Sequence, residues 1–330
     1  MILIMSMNGD HSTDEVIDWL NFYRSDFERV NISSLTEEKI TYIWNSDENC
    51  ITLKRKGKGN IEIKNIRVGW NRRTGFFKDL GSYKSISSTQ DYSLLNFLQG
   101  EIAIYRQSFW LNRIEWLCDP AAANFSKIEV LGLAKQNGLR IPYTAITNSK
   151  RELCSIINTL QSSIVIKPLK EVKLFNIRQD TYFPLTARIT KEDVVELPEF
   201  FLPSLIQKEI LKEFEIRAFY LNEQFYSMAI FSQLDNLTEV DFRNYNYKRP
   251  NRVVPFTLPK NIEISLRNLM RELRLNTGSV DILKGKDGEY YFLEINPAGQ
   301  FGMVSHPCNY NLEKKIAEYL IWLKNKQNEV

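Results

Sequence analysis

Asp281, Glu294 and Asn296 are the residues of this 330-residue chain whose types and spacing point most directly to chemistry. The apolar segments "SVDIL" and "YYFLEIN" flank "KGKDGE", where Asp287-Gly288 is a strong two-residue hairpin signal. A turn there places Asp281 directly opposite Glu294. Carboxylates facing each other across an antiparallel pair stand about 4.5–5.5 Å apart at Cβ, and like charges there are destabilising. Asn296, two residues on, shares the face of Glu294. A hard cation reverses the sign of the arrangement, because Mg²⁺ takes oxygen ligands at about 2.0–2.1 Å and bridges carboxylates to phosphates. The competing reading is a pair of exposed acids on a solvated strand. Val280, Ile282, Leu283, Phe292, Leu293 and Ile295 leave little room for such a strand, so the metal reading is preferred. It depends on register, since a slip of one residue turns a side chain to the other face.

Cations that could face this cluster are present. Lys167 ends the strand "SIVIK" before Pro168, and Lys127 begins a helical segment. Each alone is most often a surface lysine. Glu215 and Arg217 alternate onto one strand face, where Glu215 can accept from a ribose hydroxyl and Arg217 can meet a phosphate or acyl phosphate. Neither GxxxxGK[ST] nor GxGxxG occurs, so a P-loop and a dinucleotide Rossmann site are not supported.

The elements that must position these residues are legible in outline. "ILIM" is a short apolar strand, followed by a helix with a capping-box pattern at Ser12 and Glu15. "KITYIWN", "NCITLKR" and "NIEIKNIRVGW" read as successive strands around a Gly-Lys-Gly turn. Residues 54–78 hold nine Lys/Arg against the single acid Glu62, which reads first as a solvated hairpin and second as a docking surface. A helix around Ile128, Leu131 and Ala134 ends at Gly138, and another spans Ser149 to Leu160. The stretch 171–190 reads as a two-stranded hairpin without a clear turn. Three strands then follow, joined by a short loop and by a turn at Asn222-Glu223. A helix over 258–276, the strand pair and an amphipathic closing helix from 311 complete the chain.

Composition bounds the partners. With 43% hydrophobic and 25% charged residues the chain can bury a core, and its net charge of +3 implies neither nucleic acid nor membrane. "MILIMSMNGD" lacks a basic n-region and is too short for a signal peptide, and no run is long enough to span a bilayer. Cys50, Cys118, Cys154 and Cys308 have no CxxC spacing, so a reduced, cytoplasmic protein is the simplest expectation. With only His11 and His306, a zinc site or Ser-His-Asp triad is not expected, and "HPC" at 306–308 reads as loop chemistry.

The order Lys127, Lys167-Pro168, "QKEI" at 207–210, Glu215-Ile216-Arg217, Asp281 and Glu294-Ile295-Asn296-Pro297 resembles the ATP-grasp superfamily. "VGWNRR", "DPAAANFSK", "GLRIPYTAITN", "VDFR" and "FLEINPAGQF" are similar to blocks of the microviridin-type peptide maturases that make graspetides. The opening residues are similar to the grasp-with-spasm subgroup. The blocks span nearly the whole chain, and their combination is specific where any one is not.

The resemblance implies an α/β (α+β) ATP-grasp fold: an N-terminal domain over 1–118, a central subdomain over 119–205 and a C-terminal subdomain over 206–330 bearing the metal. It implies Lys127 and Lys167 on nucleotide phosphates, Gln207, Lys208, Glu209 and Ile210 at adenine, and Glu215 on ribose. It also implies Arg217 near the transferred phosphate, Arg243 as the D-aromatic-R arginine, and Asp281, Glu294 and Asn296 as Mg²⁺ ligands. The implied cofactors are ATP and Mg²⁺, and the implied partner is a ribosomal precursor peptide with a leader region. A homodimer is allowed; a membrane or nucleic acid is not expected. In such enzymes ATP phosphorylates a peptide side-chain carboxylate, and a hydroxyl or amine of the same peptide displaces phosphate to close an ester or amide ring. That chemistry is mainly positioning and charge neutralisation, which suits a site without a histidine base.

The sequence departs from the family in three places. The segment after Lys167 has no glycine through Thr190, so it is expected to serve peptide binding, with Phe175, Tyr182 and Phe183, as much as phosphate cover. Ser126 stands where asparagine is familiar, and Lys208 where an acid is common, leaving adenine contacts to Glu209 or to backbone. Two rival functions remain: a ligase adding a free amino acid to a carboxylate, and a non-catalytic protein binding nucleic acid through its basic segment.

Overall fold

Ile2–Ser6 (β1) is buried at every position, as a strand covered on both faces must be. In this computed structural model it pairs in parallel with Phe27–Asn31 (β2) and with Val68–Asn71 (β6), which pairs in parallel with Glu115–Leu117 (β7). The described residues are 1–31, 40–47, 50–55, 57, 59–73, 97, 101, 114–120, 122, 125–169, 175–177, 180–182, 186–235, 237–244 and 246–326. The helix His11–Phe22 (α1) crosses between β1 and β2. It starts at an N-cap Asp10, not at the Ser12–Glu15 box. The reason is electrostatic: the buried Asp10 carboxylate accepts from Ser6 and Thr13 hydroxyls and pairs with Arg72 at 3.4 Å.

Ile40–Asn45 (β3), Cys50–Arg55 (β4) and Ile61–Glu62 (β5) form an antiparallel sheet over the other face. Ile63–Asn65 is a 3₁₀ turn, so "NIEIKNIRVGW" is two strands rather than one. The basic segment is not simply solvated. Arg55 forks onto Glu28, and Arg72 is 2% exposed. Residues 74–78 of that segment lie outside the described residues.

The central unit begins with Lys127–Gln136 (α2), Thr144–Ser149 (β8), Lys150–Leu160 (α3) and Ile164–Lys167 (β9). Phe175–Ile177 (β10) and Asp180–Tyr182 (β11) are the expected hairpin. The later part of that stretch, Ala187–Ile189 (β12), instead pairs with β9. Phe183 and the side chains of Phe175 and Tyr182 lie outside what is described. Lys191–Glu196 (α4) leads into Phe200–Lys208 (β13), giving a sheet of order β12-β9-β13-β8.

Lys212–Leu221 (β14), Gln224–Phe231 (β15), Arg252–Phe256 (β16), Thr277–Gly285 (β17) and Tyr290–Asn296 (β18) make an antiparallel sheet of order β16-β15-β14-β17-β18. Asn222 and Glu223 both have positive φ, the conformation a two-residue turn between β14 and β15 requires. Lys260–Glu272 (α5) and α2 cover one face, burying Ile216, Ala218, Val280, Ile282, Phe292 and Ile295. Gly302–Cys308 (α6) and Leu312–Lys326 (α7) follow, so "HPC" lies in a helix and not in a loop. Asn309 in the left-handed conformation stops α6. Residues of α7 share one core with α1, β1, β6 and the end of β14, so the last helix joins the first sheet to the last. No helix among the described residues is long and apolar enough to cross a membrane.

Candidate functional site

The face of the last sheet opposite α2 and α5 carries the charged residues. Asp281 on β17 pairs with Arg217 on β14 and with Glu294 on β18, so the three stand in one row across three strands. The expected pairing of Asp281 with Glu294 is present, but by another route. The turn holds Gly285 against Glu289, one residue longer than a two-residue hairpin, and Gly288 takes φ +83°. Ile282 therefore faces Phe292, a register that would set Asp281 against Leu293. A bulge at Leu293 shifts the pairing, and Glu294 comes opposite Asp281. Phe292 and Ile295 then enter the core while Leu293 and Glu294 both line the cleft. Backbone from the central unit meets the bulge, since Phe292 N–H donates to the Arg140 carbonyl at 2.8 Å.

Two like charges in a row need compensation, and the cleft provides it. Arg217 Nη1 donates to both Asp281 oxygens at 2.7 and 2.6 Å. Lys127 Nζ lies 3.2 Å and Arg243 Nη1 3.6 Å from Glu294. Lys127 opens α2, where Ser126 accepts from the Glu129 N–H as N-cap, so serine does the capping asparagine would do. Burial pushes the Asp281 carboxyl above its ordinary range, with Arg217 opposing. For Glu294 burial also pushes upward, but Lys127, Lys167 and Arg243 outweigh it and hold the group below the usual carboxylate range. Burial lowers the Lys167 ammonium, against the pull of Glu294. This end of the cleft thus combines carboxylate oxygens with several cations, a donor set suited to a hard divalent ion beside phosphate oxygens.

The rest of the cleft lies between the two sheets. It encloses about 660 Å³, open solvent at its mouth included, and is lined by Lys167, Gln207, Lys208, Glu209, Ile210, Lys212, Glu215, Asp241, Arg243, Asp281 and Glu294 among others. Gln207 donates to Thr144 at 2.9 Å and is buried. Glu209 is held by Arg188 through contacts of 2.8 and 2.5 Å, which occupy its carboxylate. Glu215 accepts from Lys212 at 2.6 Å and from Ser232 at 2.9 Å. Burial raises its pKa and those two donors oppose the rise.

Lys212 and Asp241 were not singled out from sequence. Lys212 lies three residues before Glu215, and Asp241 two before Arg243. Asp241 takes a fork from Arg243 at 2.9 and 2.7 Å; burial would raise its carboxyl, but these bonds bring it to about 2. Asn296 does not line the cleft with the two acids but stands two pairs farther along, opposite Ser279. The loop after it is fixed from the first sheet: Arg72 Nη1 donates to the Ala298 carbonyl and, at 2.9 Å, to that of Gly299.

No family model matches the chain, and no curated protein matches it. Solved structures do. A RiPP-associated ATP-grasp ligase from Chryseobacterium gregarium, in complex with ADP and a leader and core peptide, superposes with a TM-score of 0.84 at 23% identity, over 97% of this chain and 96% of the other. The macrocyclase MdnC of Microcystis aeruginosa MRC, bound with precursor peptide MdnA, gives 0.81 at 25% identity, over 97% and 99%. The ATP-grasp ligase PsnB, complexed with minimal precursor, Mg and ADP, gives 0.75 at 16%, over 98% and 96%. Over nearly its whole length this chain has the ATP-grasp fold, in the arrangement of those peptide-bound ligases.

Proposed function

We propose that this chain is an ADP-forming ATP-grasp ligase that closes ester or amide rings within a ribosomally made precursor peptide in the cytoplasm. The observation that carries the reading is the row Arg217–Asp281–Glu294, with Lys127 and Arg243 on Glu294, at one end of a cleft between two sheets. It is supported by the likeness to ligases solved with ADP and precursor peptides. The units 1–118, 119–205 and 206–330 describe the division of labour, with β13 running across the second boundary.

In this reading ATP is a substrate lying between the two sheets. Lys127 and Lys167 contact its phosphates, and Glu215 its ribose once Lys212 gives up part of its contact. Residues 207–210 meet adenine through backbone groups, because Arg188 already occupies Glu209. Asp281 and Glu294, with Asn296 beside them, would hold Mg²⁺, which would supply neutralisation of phosphate charge. A peptide carboxylate oxygen attacks the γ-phosphorus, forming an acyl phosphate and releasing ADP. A Ser, Thr or Lys side chain then attacks the acyl carbon, loses its proton, and phosphate departs. Arg217 and Arg243 sit where charge must be balanced during both transfers, and the gain comes from position and fixed charge.

The experiment is incubation with ATP, Mg²⁺ and precursor peptides encoded beside the gene, read by mass spectrometry. Each ring removes one water, a loss of about 18 Da set by the condensation above. Uptake of free amino acid without that loss would replace this reading by the amino-acid-adding ligase.

A further inference from the structure

A second constellation lies on the seam between the first and last helices. Glu15 on α1, His306 in α6 and Glu313 in the first turn of α7 present donor atoms that all lie within 4.8 Å of one another. His306 Nε2 is 3.3 Å from Glu15 Oε1 and 3.9 Å from Glu313 Oε1. None of the three lines the nucleotide cleft.

Glu313 makes this more than a surface ion pair. It is 6% exposed. Its Oε2 accepts from Ser305 Oγ at 2.7 Å, and that hydroxyl accepts from the Leu312 N–H at 2.9 Å, which fixes the side chain. Its Oε1 is buried with no hydrogen-bond partner and points towards the imidazole. A buried carboxylate oxygen left unpaired is costly. A proton on His306 does not cure this, because 3.9 Å is beyond hydrogen-bond reach and Nε2 carries one N–H, already nearer Glu15.

A cation bridging all three donors does. Bonds of about 2.1 Å at a tetrahedral centre set ligand atoms about 3.4 Å apart, close to the 3.3 and 3.9 Å already present. Glu15 and His306 side chains are 40% and 59% exposed, so both can close on an ion that Glu313 anchors. One imidazole and two carboxylates favour a borderline first-row dication over Mg²⁺, and three protein ligands leave a fourth position for water.

We propose that Glu15, His306 and Glu313 form a Zn²⁺-class divalent cation site, separate from the nucleotide cleft, that staples α1 to α6 and α7. With only two histidines in the chain, a zinc site is not expected from sequence, and no local spacing gives this one, because Glu15 is far away in the chain and Glu313 lies on the next helix.

The test is Zn²⁺ titration of the full chain by calorimetry in excess Mg²⁺, with thermal unfolding beside it. Expected is one Zn²⁺ equivalent and a raised Tm for the native and Asp281→Asn proteins. His306→Ala and Glu15→Gln, both at exposed positions, should weaken binding by about tenfold or more and lose the Tm rise. Equal Zn²⁺ affinity in His306→Ala and native protein overturns the proposal. So does loss of binding in Asp281→Asn alone, which would assign the ion to the cleft.

Discussion

Arg217 Nη1 holds both oxygens of Asp281, at 2.7 and 2.6 Å, from the neighbouring strand. The two are a buried pair, with side chains 8% and 12% exposed. Removing one partner of such a pair typically costs about 3–5 kcal/mol, because the other is left as an uncompensated charge. Arg217→Ala should therefore lower stability by about that amount in urea unfolding, and Arg217→Ala/Asp281→Ala should recover part of it. Neither protein should turn over. A double variant no more stable than Arg217→Ala would mean the pair is not the source of the loss.

Asp281→Ala, Glu294→Ala and Asn296→Ala should each abolish ATP-dependent water loss from the peptide, measured by mass spectrometry. Turnover surviving all three changes would sink the metal assignment.

Arg188 occupies Glu209 at the rim of the cleft, with the arginine side chain 37% exposed. If adenine is read by backbone, Glu209→Gln leaves KM for ATP close to native. With the Glu209 side chain 12% exposed, the change should cost about 1 kcal/mol of stability, the upper end for pairs that solvent still reaches. A large rise in KM would return adenine recognition to the Glu209 carboxylate.

Gly299 follows Asn296 where the chain presses on β17. A Cβ there would lie 2.3 Å from Ser279 Oγ and 2.7 Å from its backbone nitrogen. The hydroxyl can rotate away; the nitrogen cannot. Gly299→Ala should displace the loop that Arg72 holds, destabilising by about 1–3 kcal/mol and cutting turnover. Ser279→Ala should not rescue it. Rescue would mean that only the hydroxyl is in the way.

Burial pushes the Cys118 thiol up to about 12. An unfolded thiol ionises near about 8.5, so above that pH the unfolded chain sheds a proton the folded chain keeps. Stability should then fall by about 1.4 kcal/mol per pH unit towards pH 12 from this group. Below pH 8, iodoacetamide should label the partly exposed Cys154 in native protein well before the buried Cys118. Mass mapping of the labelled peptides checks this, and early labelling of Cys118 would contradict its burial.

Much of this molecule is written locally. The apolar run of β1, the Ser126 and Ser149 caps, the Asn222-Glu223 turn and the stripe of α7 depend on residue types within a few positions, so sequence alone determined them. The acidic pair was legible too, because Asp281 and Glu294 flank one hairpin. Yet counting from Asp287-Gly288 reached the right partner through two offsetting departures, a longer turn and the bulge at Leu293. That bulge sits where Arg140, more than a hundred residues earlier, meets β18, and no local pattern encodes such a contact. The same holds for the Arg72 hydrogen bonds to the loop after Asn296 and for the meeting of Glu15 with His306 and Glu313. Types and periodicity determined which residues could carry charge into the core. Only the tertiary structure decided which of those charges face each other, because burial and long-range packing choose partners that spacing along the chain does not.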